Sequence, residues 1–237
     1  MKTILHKADT RGQVNLGWLQ SQHSFSFGHY YNPERMNFGL LRVLNDDIVQ
    51  PKMGFGTHPH KNMEIISIPL TGALSHKDSM GNKKAIEIGE VQVMSAGSGL
   101  THSEFNDSTT KASNFLQLWI LPELMEITPT YDQKAFDNAA KKNAFQVLVS
   151  PINKSVEGSL TINQQAYISM AEMDAGTELT YILKAQNGAY VFLIEGQLEL
   201  ANEQLNRRDA IGIWDTEQLQ LKAKTNSTVL LVEVPMN

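Results

Sequence analysis

Short segments of alternating apolar residues, separated by turn sequences, recur along almost the whole chain. The clearest of these segments are residues 65–68, 90–93, 114–121, 145–149, 189–194, 210–214 and 228–234. Alternation of this kind predicts β-strands, and the glycine- and asparagine-containing pieces between the segments predict hairpin turns. Many short strands with few helical stretches indicate an all-β fold of sandwich or barrel type.

A polar stretch interrupts this pattern between residues 123 and 143, where Pro129 and an alanine- and lysine-rich patch occur. We interpret it as a linker with one or two helical turns, between an N-terminal domain (1–122) and a C-terminal domain (144–237). A chain of 237 residues is long enough for two such domains, each with its own core.

The sequence of the second domain resembles a degenerate repeat of the first. Leu70–Leu74 aligns with Ile194–Leu198 around a shared glycine, and the same rough alignment puts Ile182 and Lys184 where His58 and His60 stand in the first domain.

One strand of the first domain has a polar end in the sequence. Residues 38–44 are apolar enough to predict a strand, and Asn45, Asp46 and Asp47 follow at once. Because asparagine and aspartate are typical of turns, we expect the strand to end there.

Two glycine-rich segments carry a histidine pattern that predicts a metal site. The first contains His58 and His60, and the second contains His102 and Glu104. Side chains two positions apart on a strand point to the same face. If the two strands face each other across a barrel, three imidazoles and one carboxylate converge on a single point.

These donors suit Fe, Mn, Co, Ni, Cu or Zn, and not a dedicated Ca²⁺ or Mg²⁺ site. Four protein ligands on an octahedral metal leave two positions for water, substrate or O₂. Glu64 lies at the same strand parity as His58 and His60, so it could also point inward. The residues alone do not decide which of Glu64 and Glu104 is the ligand. Either carboxylate could instead hydrogen-bond to a metal-binding imidazole and fix its tautomer.

The other histidines, His6, His23, His29 and His76, are interpreted as structural polar residues. All seven histidines precede residue 103, so the C-terminal domain can hold no histidine-based site.

Charge and composition exclude several classes of protein. With 25 acidic and 20 basic residues the net charge is −5, and no run of five or six like charges occurs, which argues against direct nucleic-acid binding. Cysteine is absent, so disulfides and thiolate chemistry are excluded. No segment approaches the roughly 20 apolar residues of a membrane span, and the first residues lack the apolar core of a signal peptide. We therefore expect a cytoplasmic protein without membrane contacts.

Several stretches together resemble the pirin family of the cupin superfamily, and in particular the bacterial pirin-like quercetin 2,3-dioxygenases. They are residues 25–27, 41–47, 54–64, 76–81 and 94–104. The resemblance implies an all-β bicupin, that is, two tandem antiparallel jelly-roll domains with metal in the N-terminal one only. It also implies His58, His60, His102 and Glu104 as the ligands of one divalent transition metal. Fe(II) is the expected ion, with Ni, Co, Mn, Cu and Zn as alternatives.

The activity implied by the resemblance is cleavage of flavonols such as quercetin with O₂, with release of carbon monoxide. Glu104 would also be catalytic, as the acceptor of the proton of the flavonol 3-hydroxyl. The apolar residues expected to shape the pocket are Met53, Phe55, Met94 and Phe105. The alternatives are a pirin-type regulatory or partner-binding protein with a structural or redox-sensing metal, and a cupin enzyme with another substrate.

Overall fold

Strands make up nearly all of the regular structure in residues 1–236, the part of the chain that this computed structural model describes. The strands of the first part of the chain are β1 Lys2–His6, β2 Gly12–Asn15, β3 Leu19–His23, β4 Leu41–Val49, β5 Gly54–His60, β6 Glu64–Thr71, β7 Leu74–Asp78, β8 Lys83–Ile86, β9 Glu90–Ser95, β10 Leu100–Phe105, β11 Ser113–Ile120 and β12 Thr130–Ala135. Those of the second part are β13 Gln146–Pro151, β14 Leu160–Ile162, β15 Tyr167–Met173, β16 Glu178–Ile182, β17 Asn187–Glu195, β18 Gln197–Leu200, β19 Glu203–Asn206, β20 Ala210–Trp214, β21 Gln218–Ala223 and β22 Ser227–Pro235. Short 3₁₀ helices cover Ala8–Thr10, Asn138–Lys141 and Ile152–Lys154. Within residues 1–236, no helix has the length and apolar character needed to cross a membrane.

Each domain consists of a seven-stranded and a four-stranded sheet. In the first domain the strand orders are β12-β9-β6-β11-β4-β3-β2 and β5-β10-β7-β8, and in the second they are β1-β20-β17-β22-β15-β13-β14 and β16-β21-β18-β19. Neighbouring strands are antiparallel, except for the parallel pair β13–β14. The two small sheets repeat one connection order, and the predicted all-β fold of two antiparallel sandwich domains is confirmed.

The largest apolar cluster lies between the two seven-stranded sheets and joins the domains. From the first domain it contains Leu44, Ile66 and Leu118, and from the second it contains Tyr190 and Phe192. Each is buried to 97% or more, and full burial of a large apolar side chain contributes about 1.5–3 kcal/mol. Since side chains alternate along a strand, the next residues on β4, β6 and β11 point the other way, into the first sandwich.

The second sandwich is filled by an ordinary apolar core. On β21 the buried residues are Leu219, Leu221 and Ala223, and Leu179 and Tyr181 of β16 pack against the same cluster. These two strands hold the places that β5 and β10 hold in the first domain.

The predicted alignment of the two domains is wrong on β16. Ile182 and Lys184 are both exposed, whereas Leu179 and Tyr181 face the core. The histidine positions therefore correspond to inward apolar residues, and the alignment is displaced by an odd number of positions.

Two strands lie across the predicted domain boundaries. β1 pairs with β20, so residues 2–6 belong to the sheet of the second domain. β12 lies within the predicted linker but pairs with β9 along its whole length, at the edge of the first domain's sheet. Its sequence is mostly polar because an edge strand with an exposed face needs no apolar alternation.

The strand β4 does not end at Asn45, as predicted, but continues to Val49. Asn45 and Asp47 point into the first sandwich, while Asp46 points to the domain interface. There Asp46 lies 3.6 Å from the guanidinium of Arg11 and 3.3 Å from that of Arg208. The two buried arginines that pair with Asp46 at the interface help to explain why this polar sequence continues as a strand and does not form a turn.

Candidate metal centre

Three of the four predicted ligands converge in the first sandwich. β5 and β10 are hydrogen-bonded neighbours in the four-stranded sheet, with His58 directly opposite His102, so they do not face each other across a barrel as predicted. The ring centres of His58 and His60 are 4.8 Å apart, those of His58 and His102 4.5 Å, and those of His60 and His102 4.8 Å. One nitrogen from each ring lies within 4.8 Å of the other two.

Glu104 lies beside this group rather than inside it. A carboxylate oxygen of Glu104 is within 4.8 Å of nitrogens of His102 and His76, and this second group overlaps the first only at His102. A bulge between His102 and Glu104 shifts the register of β10 against β5. Glu104 is buried and accepts a hydrogen bond of 3.3 Å from the Ser67 hydroxyl. Its coordination of a metal stays a prediction.

Glu64 points away from the centre. β5 ends at His60, and a turn with Asn62 at φ 50° leads into β6, which belongs to the other sheet. The carboxylate of Glu64 is buried and accepts a 2.6 Å hydrogen bond from the Ser95 hydroxyl. The turn breaks the strand parity on which the alternative ligand assignment depended.

The protonation of the histidines suits metal binding. Burial, and then the neighbouring His58, lowers the pKa of His60 to about 4. Burial, followed by the neighbouring histidines, lowers the pKa of His102 to about 2. Both imidazoles are therefore neutral at pH 7 and offer a lone pair.

Two further observations show which ring nitrogens of His58 and His102 are free to bind a metal. His58 Nδ1 lies 2.8 Å from the Gly56 carbonyl oxygen and donates to it, which leaves Nε2 as the ligand atom. His102 Nε2 is buried without a hydrogen-bond partner. An orphaned buried nitrogen and three convergent imidazoles fit a divalent transition metal.

A row of polar side chains crosses the seven-stranded sheet beneath this group. His23, Asn45, Gln117, Ser67 and Gln92 lie directly opposite one another on β3, β4, β11, β6 and β9. All five are buried. Asn45 Oδ1 and both amide atoms of Gln92 have no hydrogen-bond partner, a costly arrangement in an interior. The row gives the first sandwich a polar interior where the second has leucine and valine.

A cavity of about 60 Å³ lies between this row and the histidines. Its lining residues are Phe27, Asn45, Asp47, Phe55, His58, His60, His102, Glu104, Gln117 and Trp119. The ring of Trp119 stands edge-on to His60 at 4.9 Å and to Phe27 at 5.2 Å.

Only one of the four apolar residues expected around the pocket lines this cavity. That residue is Phe55. Met94 packs in a separate apolar cluster, and Met53 and Phe105 are 40% and 36% exposed.

Several lining residues were not predicted from the sequence. Trp119 shares strand parity with Gln117 on β11, which is a signal for a common face. Phe27 lies outside any strand and left no periodic signal. Asp47 was not predicted as a lining residue because it follows Asn45 and Asp46 in a sequence typical of turns. Of the remaining histidines, His6 lies 2.9 Å from the Tyr190 hydroxyl in the interface, and His76 lies directly behind His102.

Asp47 makes the stability of the metal-free protein depend on pH. Burial raises the pKa of its carboxyl group to about 7. The folded protein therefore keeps this proton up to about pH 7, whereas the unfolded chain releases it near pH 4, so raising the pH through this window favours unfolding. We expect the stability of Asp47→Asn relative to the wild type to rise by about 4 kcal/mol between pH 4 and pH 7.5.

Urea unfolding of both metal-free proteins at several pH values measures this difference. The exposed Asp9→Asn variant is the control for the chemical change itself. A difference between Asp47→Asn and wild type that does not vary with pH would contradict the expectation.

Comparison with known proteins places the chain in a family. Residues 5–120 match the model of the family described as Pirin, and residues 147–234 match the one described as Quercetinase C-terminal cupin domain. A protein of Escherichia coli strain K12 named quercetin 2,3-dioxygenase is 39% identical, over 98% of each chain. A protein of Caulobacter vibrioides named pirin-like protein is 37% identical, over 95% of this chain and 96% of that one.

Solved structures agree with these sequence matches. The crystal structure of YhhW from Escherichia coli superposes with a TM-score of 0.95 at 38% identity, covering 100% of this chain and 99% of that one. A structure described as bacterial pirin YhhW in complex with nickel(II) gives a TM-score of 0.94 at 37% identity, with 100% of both chains covered. Full-length similarity of this degree confirms the resemblance seen in the sequence, and the chain belongs to the pirin family of two-domain cupin proteins.

Proposed function

We propose that the protein is a metal-dependent dioxygenase that cleaves flavonols such as quercetin with O₂ and releases carbon monoxide. The observation that carries the proposal is the group of three convergent histidines with Glu104 beside it, at the inner end of a cavity with aromatic walls. The relative named quercetin 2,3-dioxygenase supports the substrate class, and the nickel(II) complex of YhhW supports a divalent metal. Fe(II) is our expected ion, and a cytoplasmic location stays a prediction.

His58, His60, His102 and Glu104 are the residues that would hold the metal. A divalent transition metal bound there would supply Lewis acidity that favours the ionised form of the flavonol.

Glu104 is our candidate for the general base. In the protein without metal, burial raises the pKa of its carboxyl group to about 7, so the group can take up a proton near neutral pH, as a general base must. The Ser67 hydroxyl, 3.3 Å from Oε1, holds the orientation of the carboxylate. Glu104 would accept the proton of the 3-hydroxyl, and both atoms of O₂ would end in the ring-opened ester while carbon 3 leaves with its oxygen as carbon monoxide.

The polar wall opposite the histidines would orient the substrate. Asn45 Oδ1 and Asp47 Oδ1 are buried acceptors without a partner, and both residues line the cavity. Open acceptors of this kind suit a ligand that carries hydroxyl donors, as a flavonol does.

The size of the cavity limits how far a flavonol can enter. Pockets that enclose a drug-sized ligand measure about 300–1,000 Å³, and this cavity measures about 60 Å³. We therefore expect only the hydroxy-keto edge of the flavonol to enter, with the other rings stacked against Phe27 and Trp119 at the mouth.

The test is turnover of quercetin by purified protein reconstituted separately with Fe(II) and Ni(II). We expect quercetin loss with one O₂ consumed and one carbon monoxide released per molecule, and no loss in the metal-free protein. Bleaching without carbon monoxide would point to a different oxidation, and the proposal would fail.

A regulatory or partner-binding pirin is the second candidate, and the small cavity is the observation that favours it. Metal-loaded protein that is inert toward quercetin and related flavonols, including 3-hydroxyflavone, would move this candidate to the front. The metal would then have a structural or redox-sensing role.

A further inference from the structure

A second layer of polar side chains lies behind the metal ligands on strand β7. In the pairing of β7 with β10, Asp78 stands opposite His102 and His76 stands opposite Glu104. The side chains of His76 and Asp78 have no exposure to solvent. Buried polar groups need partners, so the contacts of these two residues show what they do.

Asp78 is a fully used hydrogen-bond acceptor. Its Oδ1 accepts from the backbone N–H groups of Met80 (2.9 Å) and Asn82 (3.0 Å). Its Oδ2 accepts from the Asn82 side-chain amide at 2.8 Å and lies 3.1 Å from His76 Nε2. A carboxylate that receives donors on both oxygens offers only acceptance to the imidazole. His76 therefore carries its proton on Nε2 and has its lone pair on Nδ1.

The same logic then fixes the tautomer of His102. Its Nδ1 lies 3.5 Å from His76 Nδ1, and two such nitrogens attract only if one of them donates. Since His76 Nδ1 is the acceptor, His102 carries its proton on Nδ1 and its lone pair on Nε2. Independently, His102 Nε2 is the buried nitrogen that has no partner within the protein.

His76 is thereby excluded as a metal ligand, although its ring lies near both His102 and Glu104. Both of its nitrogens already have partners, in Asp78 and His102. The ring of Tyr131 packs against it at 4.8 Å and holds its plane.

We propose that Asp78 and His76 are positioning residues, which together fix the tautomer of His102 so that Nε2 is presented to the metal. Together with His102, the two residues form a hydrogen-bonded series of one carboxylate and two imidazoles behind the centre. The inference rests on the metal site of the proposed function but not on the flavonol reaction.

Asp78→Asn is the decisive variant because it reverses the direction of the hydrogen bonds from His102 through His76 to residue 78. Asparagine keeps an oxygen for the backbone N–H groups of Met80 and Asn82 but turns an amide donor toward His76 Nε2. His76 must then carry its proton on Nδ1, where it meets the proton of His102. We expect Co(II) and Ni(II) to bind about 10–100-fold more weakly. We also expect the ¹⁵N NMR spectrum of the metal-free protein to show loss of the Nδ1–H form of His102.

Substitutions of His76 separate positioning from packing. In His76→Gln the amide can donate to Asp78 and accept from His102, so we expect metal affinity and the His102 tautomer close to those of the wild type. In His76→Leu a side chain of similar volume fills the position but makes no hydrogen bond to Asp78 or His102. Metal affinity should then fall as in Asp78→Asn. Thermal unfolding of each metal-free variant shows whether it is folded.

Asn82→Ala is the matched control, since it removes a hydrogen bond to the same carboxylate but leaves the hydrogen-bonded series to His102 intact. Equal loss of affinity in Asn82→Ala and Asp78→Asn would assign the effect to the turn and overturn the proposal. Wild-type affinity with an unchanged His102 tautomer in Asp78→Asn would also overturn it. Because neither readout uses quercetin, failure of the flavonol assignment would leave these results interpretable.

Discussion

Replacing His58 with alanine is expected to remove the metal and, with it, flavonol turnover. Two imidazoles remain in the group, and the loss of a direct ligand should exceed the roughly 10–100-fold typical of losing an outer partner. His58 is only partly buried, so its removal leaves the surrounding core in place. Metal content after dialysis, a binding isotherm with Ni(II), and quercetin turnover are the three measurements.

The exposed His29, which no part of the site contacts, provides the control. His29→Ala should keep wild-type metal content and activity. A His58→Ala protein that retains one tightly bound metal per chain would show that the ion does not depend on His58 and would contradict the assignment.

Replacing Glu104 with glutamine should separate chemistry from metal binding. The three histidines remain and the amide keeps one oxygen donor, so we expect the metal to stay bound. Loss of a general base typically costs about 10²–10⁴-fold, and this loss should appear in kcat. Steady-state kinetics on protein of known metal content gives the result.

A Glu104→Gln protein with unchanged kcat would assign the proton transfer to another group, and Asp47 is the other buried carboxyl group that lines the cavity. Ser67→Ala offers a graded comparison, since it removes one hydrogen bond to Glu104 and keeps the carboxyl group. Its effect on kcat should be smaller than that of Glu104→Gln.

Local strand parity predicted that His58 and His60 share one face, but not that β5 and β10 pair as neighbours and so bring His102 to them. His58 and His60 are two apart on one strand, and His102 lies on a second strand that the sequence also identified. Because no histidine follows residue 102, the sequence also indicated that the second domain holds no histidine-based site, and the core cluster of that sandwich is made of apolar residues.

The features that could not be predicted from the sequence depend on contacts between residues far apart in the chain. Asn45, Asp46 and Asp47 look like a turn unless the cavity on one face and two arginines on the other are known. Glu64 keeps the parity of His58 only if no turn intervenes. His76 gains its role from Asp78 and His102, and the pairing of β7 with β10 that joins them is not visible in a single sequence.

The place of β1 has a consequence for how the protein is made. β1 pairs with β20, so during synthesis it has no partner until the first domain and most of the second have been made. β1 thus forms the edge of the second domain's seven-stranded sheet. The stretch of chain between β1 and β20 contains the entire first domain. A fragment that starts after residue 143 would leave β20 as an open edge, the kind of surface on which chains pair with one another and aggregate. The two sandwiches share an architecture, but they cannot be separated by a single cut.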